Sequence, residues 1–383
     1  MSEVMHKEVL SILIPDGEAD HLALPVICCL ANVKDFKIHV LSSDPWSNVR
    51  FSRHCSSFTH YDSTHGDDHI LEVISSTVRK TGAEFLLPVS ESGIRLVASY
   101  RNKFDGLILA PVPPLDSFDK AIDKGQLADF MQTNDIPTPH TILLRPDTVF
   151  NRHLQNLKFP VLLKPTRGTN GRGIRQFDNF ASLEYFLASH LEATSEYIIQ
   201  ELVQGYDIDC SVLCHDGEIL AFTIQKGIIP NPLRFLPPIA IEFLIHAEVL
   251  KVVRKLVSAL GWSGVAHLDL IVDEEEGGCV KIIELNARYW GSLLGSLGAG
   301  VNFPHQSVIA GLGQLLPKNS YRHYRYIEPY QALKLTMFMS LPPGMAGFRF
   351  SETGWRYLLN DPLPSAVGKA RYIWKSLKKK YGS

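Results

Sequence analysis

The chain has 383 residues, more than one hydrophobic core usually holds, so its length points to two or three units of roughly 100–200 residues each. Hydrophobic residues make up 45% and charged ones 20%, an ordinary globular composition that excludes extensive disorder. With 38 basic and 40 acidic residues the formal net charge is −2, so no global basic field exists to hold nucleic acid. The longest apolar runs, such as residues 22–30, fall far short of the ~20 residues that span a bilayer. The opening residues carry Glu3, Lys7 and Glu8 and lead into a strand-like run, unlike a signal peptide. Six cysteines (28, 29, 55, 210, 214 and 279) are too scattered for a disulfide scaffold or a zinc site. They read as buried free thiols of a cytoplasmic protein.

Residues 8–15 (EVLSILIP) form an apolar run ending in the turn Asp16-Gly17. A helical stretch over 19–32, a strand over 37–41, a helix over 70–80 and a buried strand over 84–89 follow. Strands alternating with helices predict a parallel sheet covered on both faces. The strand ends Asp16-Gly17-Glu18, Ser42-Ser43-Asp44 and Ser90-Glu91-Ser92 are where ligands sit in open sheets, but each reads more readily as scaffold. Pro111–Pro114 (PVPP) is the clearest linker. A short helical segment over 119–134 comes next. From Phe159 the pattern becomes strand, glycine loop, strand, helix, then two hairpins around a central helix. Beyond Pro317 the chain is aromatic-rich and irregular, and it ends in a basic helix-like tail.

The sequence FPVLLKPTRGTNGRGI, residues 159–174, runs a buried strand to Lys164 and then a loop with Gly168, Gly171 and Gly173. Such a loop lets backbone N–H groups approach an anion while the lysine supplies a point charge. A glycine-rich hairpin with no ligand fits the loop equally well. Residues 264–288, GVAHLDLIVDEEEGGCVKIIELNAR, are two strands around an acidic turn. A hairpin centred between Glu276 and Gly277 places Asp269 opposite Glu284 and His267 opposite Asn286. Asp269, Glu284 and Asn286 then share one face, and Leu268, Leu270, Ile283 and Leu285 the other. Facing carboxylates repel unless a cation joins them, and these hard oxygen donors suit Mg²⁺, with Mn²⁺ as the alternative; a plain solvated sheet face is the bland reading. Arg288 projects beside that position. In residues 196–226 an apolar strand leads to Glu201-Leu202-Val203, and a hairpin turning at Asp216-Gly217 carries Asp207, Asp209 and Ser211 on one face.

In their order these segments resemble the ATP-grasp superfamily, over roughly residues 119–312, in the form shared with biotin carboxylase and carbamoyl-phosphate synthase. The resemblance implies an N-terminal Rossmann-like pre-ATP-grasp domain (1–114) before a two-subdomain ATP-grasp fold. Its small subdomain would span 115–195 and its catalytic subdomain 196–316, with a C-terminal extension over 317–383. It assigns Lys124, Lys164, Gly171 and Gly173 to ATP phosphates and Glu201, Leu202 and Val203 to adenine. Asp207 falls to the ribose, and Ile271 lies under the base. Asp269, Glu284 and Asn286 would hold the metal, with Arg288, Lys164 and Asn286 as catalytic residues. The first metal ligand is Asp269 where many members have Glu. Arg167 and Arg172 in the glycine loop are phosphate ligands or solvated charges, the latter reading being favoured for Arg167.

The strand exit Glu284-Leu285-Asn286-Ala287-Arg288-Tyr289-Trp290-Gly291-Ser292 resembles carboxylate–amine ligases that read N-x-R-x-W-G-S. The activity so implied is ATP-dependent activation of a carboxylate as acyl phosphate and its capture by an amine, with small-molecule substrates. Bicarbonate or a non-amine nucleophile, and a non-catalytic ATP-binding regulator, are the alternatives. The substrate pocket falls to variable loops such as 228–239 with Arg234, and Trp290 either lines it or packs beneath the loop. A homodimer through the N-terminal unit is common in the family. In the tail, Lys369 to Lys380 contribute six basic residues around Tyr372, Ile373, Trp374 and Leu377; a helix packed on its own protein is favoured over one that touches an anionic membrane.

Overall fold

The computed structural model describes residues 9–33, 36–144, 157–168, 171, 173–190, 197–233, 236–338 and 347–381. Arg172 and Arg234 lie outside the described residues. The first unit is built on β1 (Leu10–Ile14), β2 (Phe36–Ser42), β3 (Cys55–His60), β4 (Phe85–Leu86) and β5 (Ile108–Leu109). They stand in the order β3-β2-β1-β4-β5 with every pair parallel, as the strand–helix alternation predicts. The edge strand β3 escapes sequence reading because its side chains are mixed and only half-buried. The expected strand over 84–89 shortens to two residues of ladder. Its later N–H groups, those of Val89 and Ser90, turn aside to the carboxylate of Asp16.

The single helical segment expected over 119–134 is two helices, Leu115–Ile122 and Lys124–Thr133. Asp123 breaks them: its backbone is extended, and its side chain caps the N–H groups of Gly125 and Gln126 at 3.0 Å. That cap sets Lys124 at the first position of the second helix. The PVPP linker is not loose, since Val112 is buried and Arg101 donates to the carbonyls of Val112 and Pro113.

β6 (Thr141–Leu144), β7 (Val161–Pro165), β8 (Arg175–Phe177) and β9 (Tyr197–Glu201) form an antiparallel sheet in the order β6-β9-β7-β8. Its own small core contains Leu144, Leu157, Val161, Leu163, Leu183 and Ile199. β9 was assigned from sequence to the catalytic part, with a division at 195/196. It instead hydrogen-bonds to both β6 and β7, a long-range pairing that adjacency in sequence does not reveal.

The third sheet is antiparallel: β10 (Gly205–His215), β11 (Glu218–Ile229), β12 (Ala240–Leu244), β13 (Gly264–Asp273), β14 (Cys279–Asn286) and β15 (Tyr324–Ile327), in the order β14-β13-β10-β11-β12-β15. The hairpin at Asp216-Gly217 forms as expected, with φ of 47° and 83°. The helix Ala247–Ala259 covers the sheet with Val249, Val252, Val253, Leu256 and Val257, an i, i+3, i+4, i+7, i+8 stripe. β15 extends this sheet past the expected limit at 316, because Tyr324 and Tyr326 close the core over Phe243. All six cysteines are free thiols, and Cys29, Cys210 and Cys214 are fully buried. Among the described residues no helix is long and apolar enough to cross a membrane.

Gly264, at the start of β13, has φ +90°, and a Cβ there would lie 2.4 Å from the carbonyl oxygen of Pro111. The linker and the catalytic sheet therefore touch backbone to backbone. Gly264→Ala should destabilise the protein by about 1–3 kcal/mol, read as a lowered unfolding midpoint in urea.

Candidate active site

The site is laid out by the register of four strands. Across β11, β10, β13 and β14 one row reads Gln225, Asp209, Asp269, Glu284, each residue directly opposite the next. The adjacent row reads Thr223, Ser211, His267, Asn286. Asp207 and Ile271 face each other one step further along. The expected pairings of Asp269 with Glu284 and His267 with Asn286 are both present. They coexist with a β-bulge: beyond Asp269 the register shifts so that Leu270 pairs with Ile282. Ile283, expected in the core with Leu270, is the extra residue and is only half-buried, while Ile282 is fully buried.

Three carboxylates in one row repel one another, and each is relieved differently. Glu284 meets the ammonium of Lys124 at 3.0 Å. Burial opposes its ionisation, but Lys124 and Lys164 outweigh that and hold its carboxyl below the usual range. Asp209 accepts a hydrogen bond from Gln225 at 2.9 Å, yet burial still pushes it up to about 7. Asp269, between them, is pushed well up, first by burial and then by the charges of Glu284 and Asp209. The set formed by Asp269, Glu284 and Asn286 offers only hard oxygen ligands, and a cation would relieve the repulsion that raises the Asp269 pKa, so these residues fit a divalent cation such as Mg²⁺. Asp209, His267 and Asp269 also bring ligand atoms within 4.8 Å of one another.

His267 is fixed on both sides. Its Nδ1 lies 2.9 Å from the Ser211 hydroxyl, and its ring stacks on Trp290 at 5.7 Å and 16°. Burial, followed by the Arg288 charge, lowers its pKa to about 3, so it stays neutral under ordinary conditions. Trp290 is 1% exposed and packs edge-on against Phe303; it lies beneath the loop rather than lining a pocket. Ser292 donates to Gln225 at 2.8 Å, tying the strand exit back to the carboxylate row.

Beyond Asn286 the chain turns, and Arg288 is held by three groups. It donates to the Asn286 side chain at 3.1 Å and to the Tyr289 carbonyl at 3.0 Å, and lies 3.6 Å from Glu91. Glu91 comes from the first unit, in the opening turn of the helix Glu91–Ser99. That helix start is clamped by buried Asp16, which accepts the N–H groups of Val89 and Ser90. A side chain at Gly93 would collide with Asp16, its Cβ only 2.1 Å from the carboxylate. The Ser90-Glu91-Ser92 end, favoured from sequence as scaffold, therefore also reaches the site. The signal was its place at a strand end; what hid it was the distance in sequence from Arg288.

The small subdomain faces this sheet with Lys164, which is buried and donates to Gln200 at 2.7 Å; Gln200 in turn donates to Thr141 at 2.9 Å. Desolvation lowers the Lys164 pKa to about 8, opposed by Glu284, Asp269 and Asp207 on the facing sheet. Gln200 had no signal in sequence, since its role depends on β9 lying beside β7. Lys124 also donates to the Gly168 carbonyl at 3.0 Å. Gly168, Gly171 and Gly173 all have positive φ, of 136°, 66° and 80°. Arg167 is exposed, with its guanidinium 3.6 Å from the Asp123 carboxylate. Glu91, Lys124, Arg167, Gly168, Glu284 and Asn286 surround a cleft of ≈ 100 Å³. A more open depression of ≈ 490 Å³ around Gly298, Arg322 and Arg356 contains none of the predicted residues.

At the end of β9, Glu201 accepts the Lys158 N–H at 2.8 Å and lies 3.5 Å from His140. The Leu202 N–H donates to the Pro160 carbonyl at 2.9 Å, just before Val203. Ile271 is buried and Asp207 exposed at the rim of the same face.

Residues 121–292 match the family model described as an ATP-grasp domain. The chain is 20% identical over 229 residues to a D-aspartate ligase of Enterococcus faecium, covering 55% of this chain and 54% of that protein. It is 24% identical over 165 residues to a D-alanine–D-alanine ligase of Hydrogenovibrio crunogenus, covering 40% of this chain and 52% of that one. The chain thus spans about half the length of these curated relatives. In fold it is similar to N5-carboxyaminoimidazole synthetase from Staphylococcus aureus complexed with ADP, at a TM-score of 0.64 and 14% identity over 83% of this chain and 81% of that one.

Gln200→Leu should leave the Lys164 ammonium buried without its hydrogen-bond partner, at a cost of about 1–3 kcal/mol in urea unfolding. The folded-state pKa of about 8 lies below the ordinary lysine value, so folding disfavours the proton and the penalty belongs to the charged form. The loss should therefore be largest below pH 8 and shrink as pH rises through it.

Proposed function

We propose that this chain, whose residues 121–292 are an ATP-grasp domain, is an ATP-dependent ligase that activates a carboxylate as an acyl phosphate and couples it to an amine, with release of ADP and phosphate. The observation that carries the reading is the row Asp209, Asp269, Glu284, faced by Lys124 and Lys164 and ended by an Arg288 held on three sides. Similarity to D-aspartate and D-alanine–D-alanine ligases supports the amine-coupling class.

In this reading Lys124 and Lys164 hold the ATP phosphates, with the backbone of Gly171 and Gly173 closing over them. Glu201, the Leu202 carbonyl and the Val203 amide take the adenine, Ile271 lies under it, and Asp207 takes the ribose. Asp269, Glu284 and Asn286 would hold Mg²⁺, which when bound supplies neutralising charge to the polyphosphate. Lys124 now lies between Glu284 and the Gly168 carbonyl, so nucleotide entry requires it to shift toward the phosphates.

Arg288 stabilises the phosphoryl group as it passes to the substrate carboxylate and then the acyl phosphate. Its hydrogen bonds to Asn286 and Tyr289 hold the guanidinium in place before substrate arrives. Stabilisation made mainly in the transition state appears in kcat rather than KM. Arg288→Ala should therefore slow turnover by about 10²–10³-fold with a smaller change in the KM for ATP. The test is a screen of carboxylate and amine pairs for ADP release, with products identified by mass. Amide, ADP and phosphate in equal amounts support the proposal; AMP and pyrophosphate, or no turnover with any pair, would overturn it. Lys164→Ala should weaken ATP binding, by the loss of a charge-assisted contact worth about 1.5–3 kcal/mol, and calorimetry measures this directly.

A further inference from the structure

The helix Pro362–Tyr381 packs on the first unit, as favoured from sequence, through the side that carries Gly368 and Arg371. Pro364 is buried, Gly368 lies so close to Asn48 that a Cβ would come within 2.6 Å of it, and Arg371 bonds to the Asp44 carboxylate at 2.7 Å and to the Trp46 carbonyl. These positions recur at i, i+4 and i+7, one side of a helix. The other side carries Leu363, Ala366, Ala370, Ile373, Trp374 and Leu377, at i, i+3, i+7, i+10, i+11 and i+14, and all are exposed. Trp374 is 70% exposed, Leu363 61% and Ile373 56%. A helix that packs only for its own stability buries its apolar stripe; this one turns it outward.

We infer that this outward stripe, on a helix whose last turns are rich in lysine, is a docking surface for an anionic lipid membrane. Charge decides between the two occupants that such a stripe admits. From residue 362 onward the sequence holds no acid; of its six cations Arg371 is bound to Asp44 and Lys369 lies over the Tyr330 ring, and the other four are Lys375, Lys378, Lys379 and Lys380, beside Ile373, Trp374 and Leu377 in the sequence. A second copy of the helix laid on the first would bring like charges together, whereas an anionic surface complements them. Trp374 is suited to the interfacial zone, where its ring is half in the apolar layer, and Ile373 and Leu377 would enter beside it. One short segment binds reversibly, so the attachment is weak and salt-sensitive.

The test uses the full chain with vesicles of phosphatidylglycerol and phosphatidylcholine, compared with vesicles of phosphatidylcholine alone, followed by co-sedimentation at low and high salt. Pelleting with the anionic vesicles only, reduced by salt, is the expected result. A variant combining Trp374→Glu and Leu377→Glu should bind at least about tenfold more weakly, because the apolar contribution is lost. Both side chains are exposed, so its thermal unfolding should match that of the parent. Absence of pelleting with anionic vesicles, or equal pelleting by the variant, overturns the proposal. A lipid-independent dimer that the variant abolishes also overturns it, by assigning the stripe to a second copy.

Discussion

Asp209, Asp269 and Glu284 stand side by side on adjacent strands, and their repulsion determines what every other part of the molecule must supply. Burial makes it worse, because low dielectric raises the energy of each unpaired charge. The sheet that bears them contributes Gln225 and Asn286, which are polar but neutral. The cations come from elsewhere: Lys124 from the first turn of a helix, Lys164 from the small subdomain, Arg288 from the strand exit. Asp269 is the member of the row that burial and the charges of Glu284 and Asp209 push furthest from its ordinary pKa.

The same electrostatics ties the units together. Arg288 is near Glu91 on the first unit, and Glu91 is held where it is by the clamp of Asp16 on Val89 and Ser90. The parallel sheet is thus more than a neighbour to the site, since the start of one of its helices reaches the cleft. Lys164 works from the opposite side. Burial lets it give up its proton more readily than an exposed lysine, while Glu284, Asp269 and Asp207 on the facing sheet oppose that loss. The cleft therefore sets Lys124, Lys164 and Arg288 against the row Asp209, Asp269 and Glu284.

The bulge in the β13–β14 hairpin shows how local irregularity protects a functional register. The turn contains an odd residue relative to the ladder near the turn, where Leu270 pairs with Ile282. Without compensation, every side chain beyond would have moved to the opposite face. One extra residue, Ile283, restores the alignment just before Glu284, so that Glu284 and Asn286 face Asp269 and His267.

Sequence alone determined what depends on neighbours along the chain. The alternation in residues 264–288 set Glu284 and Asn286 on one face of β14 and His267 and Asp269 on one face of β13, the glycine spacing marked the loop after Lys164, and Asp216-Gly217 marked a hairpin. These are properties of period and turn chemistry, which short stretches carry by themselves. The resemblance to the ATP-grasp order came from the same short stretches, and the match over residues 121–292 agrees with it. Tertiary structure decided the rest. Only the pairing of β9 with β7 sets Gln200 against Lys164, and only the packing of the first unit brings Glu91 to Arg288. Asp123 divided a helix that periodicity ran through, because a capping side chain outweighed propensity at one residue. The last helix makes the point most plainly: its amphipathic pattern is written in the sequence, but which side meets the protein is not. That choice rests on Arg371 reaching Asp44 and Gly368 fitting against Asn48, contacts made across more than 300 residues of chain.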